Sequence, residues 1–127
     1  MREDLNMGIN TMNILFLDDE RYPDEVFWID FSYYKVHDVT IVRDAFSFKQ
    51  KVLNSKFDCI SFDNDIQDSV EGKHLLDWLI FLYVDNEIDW FPSKIILHTM
   101  NNIAKDQMNT YIKSFSDTYN LDIEIIV

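Results

Sequence analysis

The architecture of this chain follows from the stretch NILFLDD, residues 13–19, an apolar run that ends in two aspartates. A continuous apolar run of this length is typical of a strand covered on both faces of a parallel sheet. Four further runs resemble it, and they read VTIV (39–42), FDCISF (57–62), IIL (95–97) and LDIEIIV (121–127). The sequence therefore predicts five strands in one parallel sheet.

Helical patterns separate these runs. Asp44 is a predicted N-cap for a helix over 45–53, and two more helices are predicted over 73–84 and 102–119. In the last of these, apolar side chains recur at helical spacing: Ala104, Met108, Tyr111/Ile112, Phe115 and Tyr119. Parallel strands need crossover connections, which are nearly always right-handed, so we expect helices on both faces. The expected fold class is α/β, a three-layer sandwich with a five-stranded parallel sheet in the middle.

Two segments depart from this regular alternation. Residues 21–38 have no clean helical period, so we expect a degenerate first helix there. The aromatic residues of this segment are expected to pack over the sheet, with an aromatic binding surface as the alternative: Trp28, Phe31, Tyr33 and Tyr34. The stretch LLDWLIFLYV (75–84) is apolar almost all round, which predicts burial within the monomer or an additional homodimer contact.

Length and composition indicate a single domain over 12–127, preceded by a flexible extension over 1–11 that lacks any periodic pattern. No stretch has the length of a membrane-spanning helix and no signal peptide is recognised, so we expect a cytoplasmic protein without a membrane partner. The single cysteine, Cys59, lies in an apolar run and is expected to be a buried strand residue.

The chain is strongly acidic, with 23 acidic against 11 basic residues and a net charge of −12. This balance argues against general DNA binding, because a basic surface is needed to displace DNA counterions. The negative net charge remains compatible with binding of a small phosphorylated ligand. The acidity itself is read either as a means of solubility or as mimicry of nucleic acid.

Polar residues follow the predicted strands at the end where ligands bind in open parallel sheets. They are Asp18, Asp19, Glu20 and Arg21 after the first strand, Asp63, Asn64 and Asp65 after the third, and His98, Thr99 and Asn101 after the fourth. Two carboxylates about 4 Å apart repel by roughly 4 kcal/mol at an effective dielectric constant near 20. A divalent cation such as Mg²⁺, the guanidinium of Arg21, or a proton on one carboxyl would offset that repulsion.

His98 has two interpretations at this position. A lone histidine at a strand end is commonly satisfied by a backbone carbonyl. Beside several carboxylates, its imidazole is instead a candidate general acid or base near neutral pH. His37 and His74 lack such a setting and are interpreted as surface or packing residues.

The pattern resembles a response-regulator receiver domain, with paired acids after the first strand, Asp63 at the phosphoacceptor position and Thr99 after the fourth strand. It resembles more closely the cyclic-phosphate-processing receiver domains, through LDDERYP (17–23), DNDI (63–66) and HTMN (98–101), which agree in order and spacing. The resemblance implies a receiver-like (flavodoxin-like) three-layer sandwich. In this chain we expect the fifth helix of a receiver, and the lysine that precedes it, to be missing.

The same resemblance implies a phosphoesterase that acts on small cyclic-phosphate nucleotides or on 2′,3′-cyclic ends of RNA. Carried over to this sequence, it implies Mg²⁺ or Mn²⁺ ligands or water-positioning groups at Asp18, Asp19, Asp63 and Asp65. It further implies catalytic roles for His98 (proton transfer), Asp63 and Arg21. Phosphate binding is implied for Arg21, Thr99 and Asn101.

Two other functions remain open from the sequence. One is a non-catalytic, degenerate receiver that binds a nucleotide or a protein, including a viral inhibitor of a host pathway. The other is a phosphoacceptor receiver that is modified on Asp63.

Overall fold

The computed structural model describes residues 11–35 and 37–127. The predicted flexible extension, residues 1–11, lies outside the described residues apart from Thr11. The elements in chain order are β1 (Asn13–Leu17), a short 3-10 turn (Pro23–Glu25), α1 (Ser32–Lys35), β2 (Asp38–Val42), α2 (Ala45–Asn54), β3 (Cys59–Phe62), α3 (Gly72–Val84), β4 (Lys94–Leu97), α4 (Asn102–Tyr119) and β5 (Glu124–Ile126). All five predicted strands and all three predicted helices are confirmed.

The five strands form one parallel sheet in the order β2-β1-β3-β4-β5. In this order β1 lies between β2 and β3, so the chain moves first to one side of β1 and then to the other. Loops that leave β1 and β3 therefore diverge at the carboxyl edge of the sheet, where such folds bind ligands.

Side chains alternate between the two faces of the sheet, as strand geometry requires. Helices α2, α3 and α4 all lie on one face, where they bury the odd-numbered side chains of β1, Leu15 and Leu17, in the larger core cluster. Ile14 and Phe16 point to the opposite face and form a smaller cluster with the connection between β1 and β2. The three-layer fold is confirmed, but the long helices lie on one face only.

The connection from β1 to β2 contains only the four-residue α1, which confirms the degenerate first helix. Trp28, Tyr33 and Tyr34 pack against the smaller cluster, and Tyr34 is almost fully buried. The same prediction was wrong for Phe31, which lies just before α1 and remains 44% exposed, because α1 directs Tyr34 rather than Phe31 into the smaller cluster.

Local sequence signals determine where the helices begin and end. Asp44 caps α2 by accepting a hydrogen bond from the Ser47 N–H at 2.8 Å, as predicted. Asn120 ends α4 in the left-handed region, with φ of 55°. Most of the apolar residues of α3 are buried within the monomer, as predicted, and Phe81 is 60% exposed. The homodimer contact through this helix stays a prediction.

Within residues 11–35 and 37–127, none of the helices has the length and apolar character needed to cross a membrane. Cys59 is fully buried and unpaired, as predicted.

Candidate active site

Strand register explains why residues far apart in the sequence meet at one edge. Leu17 is paired with Phe62, and Phe62 with Leu97. The ladder continues one residue further, since the Asp63 N–H donates to Leu17 O at 3.0 Å and the His98 N–H donates to Phe62 O at 3.1 Å. The residues that follow this row, Asp18, Asp63 and His98, therefore lie side by side at the carboxyl ends of β1, β3 and β4.

Asp18 is fully buried and accepts hydrogen bonds on both carboxylate oxygens. Its Oδ1 accepts from the backbone N–H groups of Glu20 and Arg21, both at 2.9 Å, and its Oδ2 contacts His98 Nε2 at 3.1 Å. Burial by itself would raise the pKa of Asp18, but the hydrogen bonds from His98, Arg21 and Glu20 together lower that pKa to about 2. Asp18 is therefore ionised at neutral pH.

His98 is also fully buried, and its ring stacks on Phe16 with centroids 4.6 Å apart and planes 3° from parallel. Burial lowers the pKa of His98 below its usual value, against the opposing effect of Asp18. The ring is consequently neutral near pH 7, with one N–H donor and one acceptor nitrogen.

Hydrogen-bond directions along this network follow from the ionised Asp18, which can only accept. His98 Nε2–H must donate to it, so His98 Nδ1 is the acceptor for Ser61 Oγ–H at 2.7 Å. Ser61 Oγ then accepts from the hydroxyl of Tyr34 at 2.9 Å. A fully paired chain thus runs from Tyr34 in α1, through two strands, to Asp18.

Three carboxylates form the acidic cluster, which we define as Asp18, Asp19 and Asp63. Each of them offers a ligand atom, and these atoms lie within 4.8 Å of one another. Burial, followed by the charge of Asp18, raises the pKa of Asp63 to about 6. Burial likewise raises the pKa of Asp19. The unfavourable charges in this cluster are those that a bound cation would relieve, so these residues fit a divalent metal such as Mg²⁺ or Mn²⁺.

The three carboxylates are not equally free to bind a metal. Both oxygens of Asp18 already accept hydrogen bonds, so its Oδ2 retains limited capacity. Asp63 accepts one hydrogen bond, on Oδ1, from the N–H of Asn64 at 2.8 Å. Asp63 and Asp19 are therefore the better-placed ligands, and Asp18 completes the set.

Asp65, the fourth predicted metal ligand, does not join the acidic cluster. Its exposed carboxylate instead faces the side-chain amide of Asn101 at 3.4 Å and that of Asn64 at 3.2 Å. Its role as a ligand stays a prediction.

The two predicted phosphate-binding residues after β4 differ in availability. Asn101 caps α4, with its Oδ1 accepting from the Ala104 N–H at 3.1 Å, so its side chain is engaged in structure. Thr99 is buried, and its Oγ1 accepts from the Asn101 N–H at 3.1 Å, which leaves the hydroxyl proton available for donation.

Arg21 is the cation nearest to the acidic cluster among the ion pairs described. Its Nη1 lies 3.6 Å from Asp18 Oδ2, and its side chain is 36% exposed. The guanidinium also lies over the ring of Trp28, 5.2 Å from the centroid. With five N–H donors and one long ion pair, Arg21 retains donors for a phosphate.

Four residues support the site in roles that the sequence did not assign to them. Arg43 donates to the backbone oxygens of Asp18 at 3.1 Å and Arg21 at 2.6 Å, which fixes the loop after β1. Asn64 is fully buried and joins the loop after β3, residues 63–65, to α3, because its Oδ1 accepts from the Lys73 N–H at 2.9 Å. We call residues 63–65 the acidic loop. Ser61 and Tyr34 complete the hydrogen-bond chain described above. Ser61 could have been recognised from the sequence, because it is the one hydroxyl residue in the apolar run CISF and a buried hydroxyl needs a hydrogen-bond partner.

Gly72 is a fifth residue whose importance was missed. A Cβ at this position would lie 1.9 Å from the carbonyl oxygen of Asp63, so the first turn of α3 touches the backbone of the acidic loop directly. The Gly72 N–H also donates to Asn64 O at 2.8 Å. Only glycine permits this approach without displacing Asp63.

Comparison with known proteins gives two kinds of match. The family model described as the cyclic-phosphate processing receiver domain matches residues 13–114. Solved structures that resemble the chain include the phosphorylated cyanobacterial phytochrome response regulator RcpA, with 16% identity, coverage of 92% of this chain and 81% of that chain, and a TM-score of 0.48. The response regulator domain of Thermotoga maritima CheB has 14% identity, coverage of 89% and 99%, and a TM-score of 0.47. No curated protein matches the chain.

The family match spans most of the chain and includes β1 to β4, the acidic cluster, Arg21 and His98. The strand order and the site geometry agree with a receiver-like fold. This chain belongs to the family of cyclic-phosphate processing receiver domains.

Proposed function

We propose that this protein is a metal-assisted phosphoesterase that opens the cyclic phosphate of a nucleotide or of an RNA end. The observation that carries the proposal is the acidic cluster, three carboxylates within 4.8 Å of one another, with Arg21 beside it. Opening a cyclic phosphodiester requires an activated water, neutralisation of the phosphoryl oxygens and a proton for the departing alkoxide.

The acidic cluster would hold the cation, with Asp19 and Asp63 as the main ligands and Asp18 through Oδ2. A bound Mg²⁺ or Mn²⁺ supplies Lewis-acid stabilisation of the phosphoryl oxygens and a lower pKa for a bound water.

Arg21 is the residue best suited to bind the phosphate, since its side chain is 36% exposed. Arg21 presents a planar set of N–H donors beside the acidic cluster, and its stacking on Trp28 restricts the orientation of that plane. Thr99 is as buried as its neighbour His98, and its Oγ1 accepts from the Asn101 N–H, so we assign it to holding the loop after β4. The guanidinium of Arg21 would stabilise the negative charge that develops on the phosphoryl oxygens in the transition state.

Asp63 accepts one hydrogen bond, on Oδ1, and its Oδ2 has no protein donor among the described residues, which leaves that oxygen open to a cation. Its pKa, raised to about 6 without a cation, would fall when a cation binds, so we assign Asp63 to holding the cation rather than to proton transfer. His98 was the predicted proton donor, but its complete burial and two engaged ring nitrogens favour a different role. We assign His98 to holding Asp18 ionised and in place.

The test is incubation with nucleoside 2′,3′-cyclic phosphates in the presence of Mg²⁺ or Mn²⁺, followed by phosphorus NMR. We expect the cyclic signal to be replaced by that of a phosphomonoester. Asp63→Asn should abolish turnover, whereas Asp117→Asn, on the exposed surface of α4, should leave it unchanged. Absence of turnover by the unaltered protein with either cation would contradict the proposal.

A second function, a binding module without catalysis, is favoured by the same burial of His98, since no other imidazole joins the site among the described residues. Such a module would retain the cyclic nucleotide intact. Equilibrium dialysis followed by NMR of the recovered ligand distinguishes the two functions.

A further inference from the structure

An exposed aromatic pair lies beside the phosphate-binding arginine. Phe27 is 85% exposed, and Trp28, its neighbour in sequence, is half-buried. The two rings meet edge to face, with centroids 5.0 Å apart and planes at 85°. A phenylalanine this exposed contributes little buried area to the fold, so packing does not explain its position.

Trp28 is fixed to the site rather than free in solvent. Its Nε1–H donates to the backbone oxygen of His98 at 2.7 Å, which ties the β1–β2 connection to the end of β4. The indole also packs against the smaller core cluster. Phe27 therefore stands on an ordered support, and a ligand that stacks on it does not bear the entropic cost of ordering a loop.

Arg21 joins this aromatic pair to the acidic cluster. Its guanidinium lies 5.2 Å from the centroid of Trp28, while its Nη1 lies 3.6 Å from Asp18 Oδ2. Consecutive neighbours thus lead from the carboxylates, through a phosphate-binding cation, to an exposed aromatic surface. A ligand with a phosphate at one end and a flat ring at the other matches that order of chemistry.

We infer that Phe27 and Trp28 form a stacking site for the base of the nucleotide whose phosphate lies at Arg21 and the acidic cluster. The position of the phosphate rests on the proposed function. Stacking on an aromatic side chain is tolerant of base identity, because every base has a π face, so we expect both purine and pyrimidine nucleotides to bind. The preferred ligand is a nucleoside cyclic phosphate rather than a base-free cyclic phosphate.

The experiment compares two ligands, adenosine 2′,3′-cyclic phosphate and glycerol 1,2-cyclic phosphate, which share the five-membered cyclic phosphate and differ in the base and sugar. Affinities are measured with Mg²⁺ present, by calorimetry where the ligand is recovered intact and as the KM where the ligand is opened. In the unaltered protein the nucleotide should bind more tightly than the glycerol compound. Phe27→Ala should weaken nucleotide binding by roughly 5- to 100-fold and leave binding of the glycerol compound unchanged.

Phe81→Ala is the matched control, because Phe81 is 60% exposed on α3 and outside the proposed site. It should change neither affinity. Phe27→Trp should retain nucleotide binding, since an indole also offers a flat face. Nucleotide affinity that is equal in the unaltered protein and Phe27→Ala overturns the inference, as does failure of the nucleotide to bind. If Phe27 and Trp28 serve only to dock a protein, nucleotide affinity should be equal in the unaltered protein and in Phe27→Ala.

Failure of this inference and failure of the proposed function give different results. If base-dependent binding is present but no cyclic phosphate is opened, the stacking site stands and the catalytic proposal fails. If the glycerol compound is opened and Phe27→Ala has no effect on the nucleotide, the catalytic proposal stands and the stacking site is refuted.

Discussion

Substitution of Ser61 by alanine tests the buried hydrogen-bond chain most directly. In the native fold, Ser61 Oγ–H donates to His98 Nδ1 at 2.7 Å and its oxygen accepts from the Tyr34 hydroxyl at 2.9 Å. All three side chains are almost completely buried. Ser61→Ala removes one oxygen atom and leaves two polar groups without partners.

The size of the effect follows from those two groups. A buried polar group that loses its partner costs about 1–3 kcal/mol, so Ser61→Ala is expected to lower the free energy of unfolding by about 2–6 kcal/mol. Tyr34→Phe removes one hydroxyl and leaves the bond from Ser61 to His98 intact, so it should cost only about 1 kcal/mol. In the double variant, only His98 Nδ1 lacks a partner. Its cost should therefore fall below the sum of the single costs by at least about 1 kcal/mol.

Urea unfolding at neutral pH, followed by far-ultraviolet circular dichroism, measures all three variants. Ser114→Ala, on the exposed surface of α4, is the control and should change stability by less than about 0.5 kcal/mol. The double-variant cost would equal the sum within about 0.5 kcal/mol if the hydroxyls of Tyr34 and Ser61 did not interact. That result, or a Ser61→Ala cost no larger than the control, would refute the hydrogen-bond chain from Tyr34 through Ser61 to His98.

Three further predictions concern the acidic cluster and the loop beneath it. Because the pKa of Asp63 is raised to about 6, the folded protein binds this proton more tightly than the unfolded chain, so metal-free stability should fall as pH rises from about 4 to 6. Asp63→Asn should accordingly raise the free energy of unfolding, measured in urea, by up to about 3 kcal/mol at pH 7, and it should give no gain near pH 3. An equal gain in Asp117→Asn would show that the general reduction of negative charge is responsible. Mg²⁺ should raise the melting temperature of the unaltered protein. Asp19→Asn should abolish this increase and Asp65→Asn should retain it, because of these two residues only Asp19 belongs to the acidic cluster. If both variants abolish the increase, Asp65 is among the ligands. Gly72→Ala places a Cβ 1.9 Å from Asp63 O, so it should weaken Mg²⁺ binding by roughly tenfold or more in calorimetry, and unchanged affinity would show that α3 moves aside without disturbing Asp63.

Secondary structure was predictable because its signals are local. The run over 13–17 is apolar on both faces, and Asp44 supplies an oxygen three residues before a free N–H, so neither feature depends on distant residues. The convergence of the acids was predictable for a related reason. In a parallel sheet the carboxyl ends of all strands lie at one edge, so any polar residues that follow several strands must approach one another.

The roles of individual side chains depended on contacts that no local pattern contains. Asp65 was grouped with the other acids because it follows the same strand as Asp63 and lies in a family motif, but its carboxylate faces Asn101. Phe31 was grouped with the other aromatic residues, but it lies just before α1 and stays exposed.

The sequence alone therefore determined the order of strands and helices, the edge at which the candidate site residues meet and the family motifs, because apolar periodicity and strand direction are encoded over a few residues. Only the tertiary structure decided which polar groups are buried and paired. His98 and Asp18 are 80 residues apart, and their 3.1 Å contact exists because strand register aligns them and Phe16 covers the ring. Burial and nearby charge depend on neighbours from several elements of the fold. Within one small site they lower the pKa of Asp18 and of His98 and raise the pKa of Asp63.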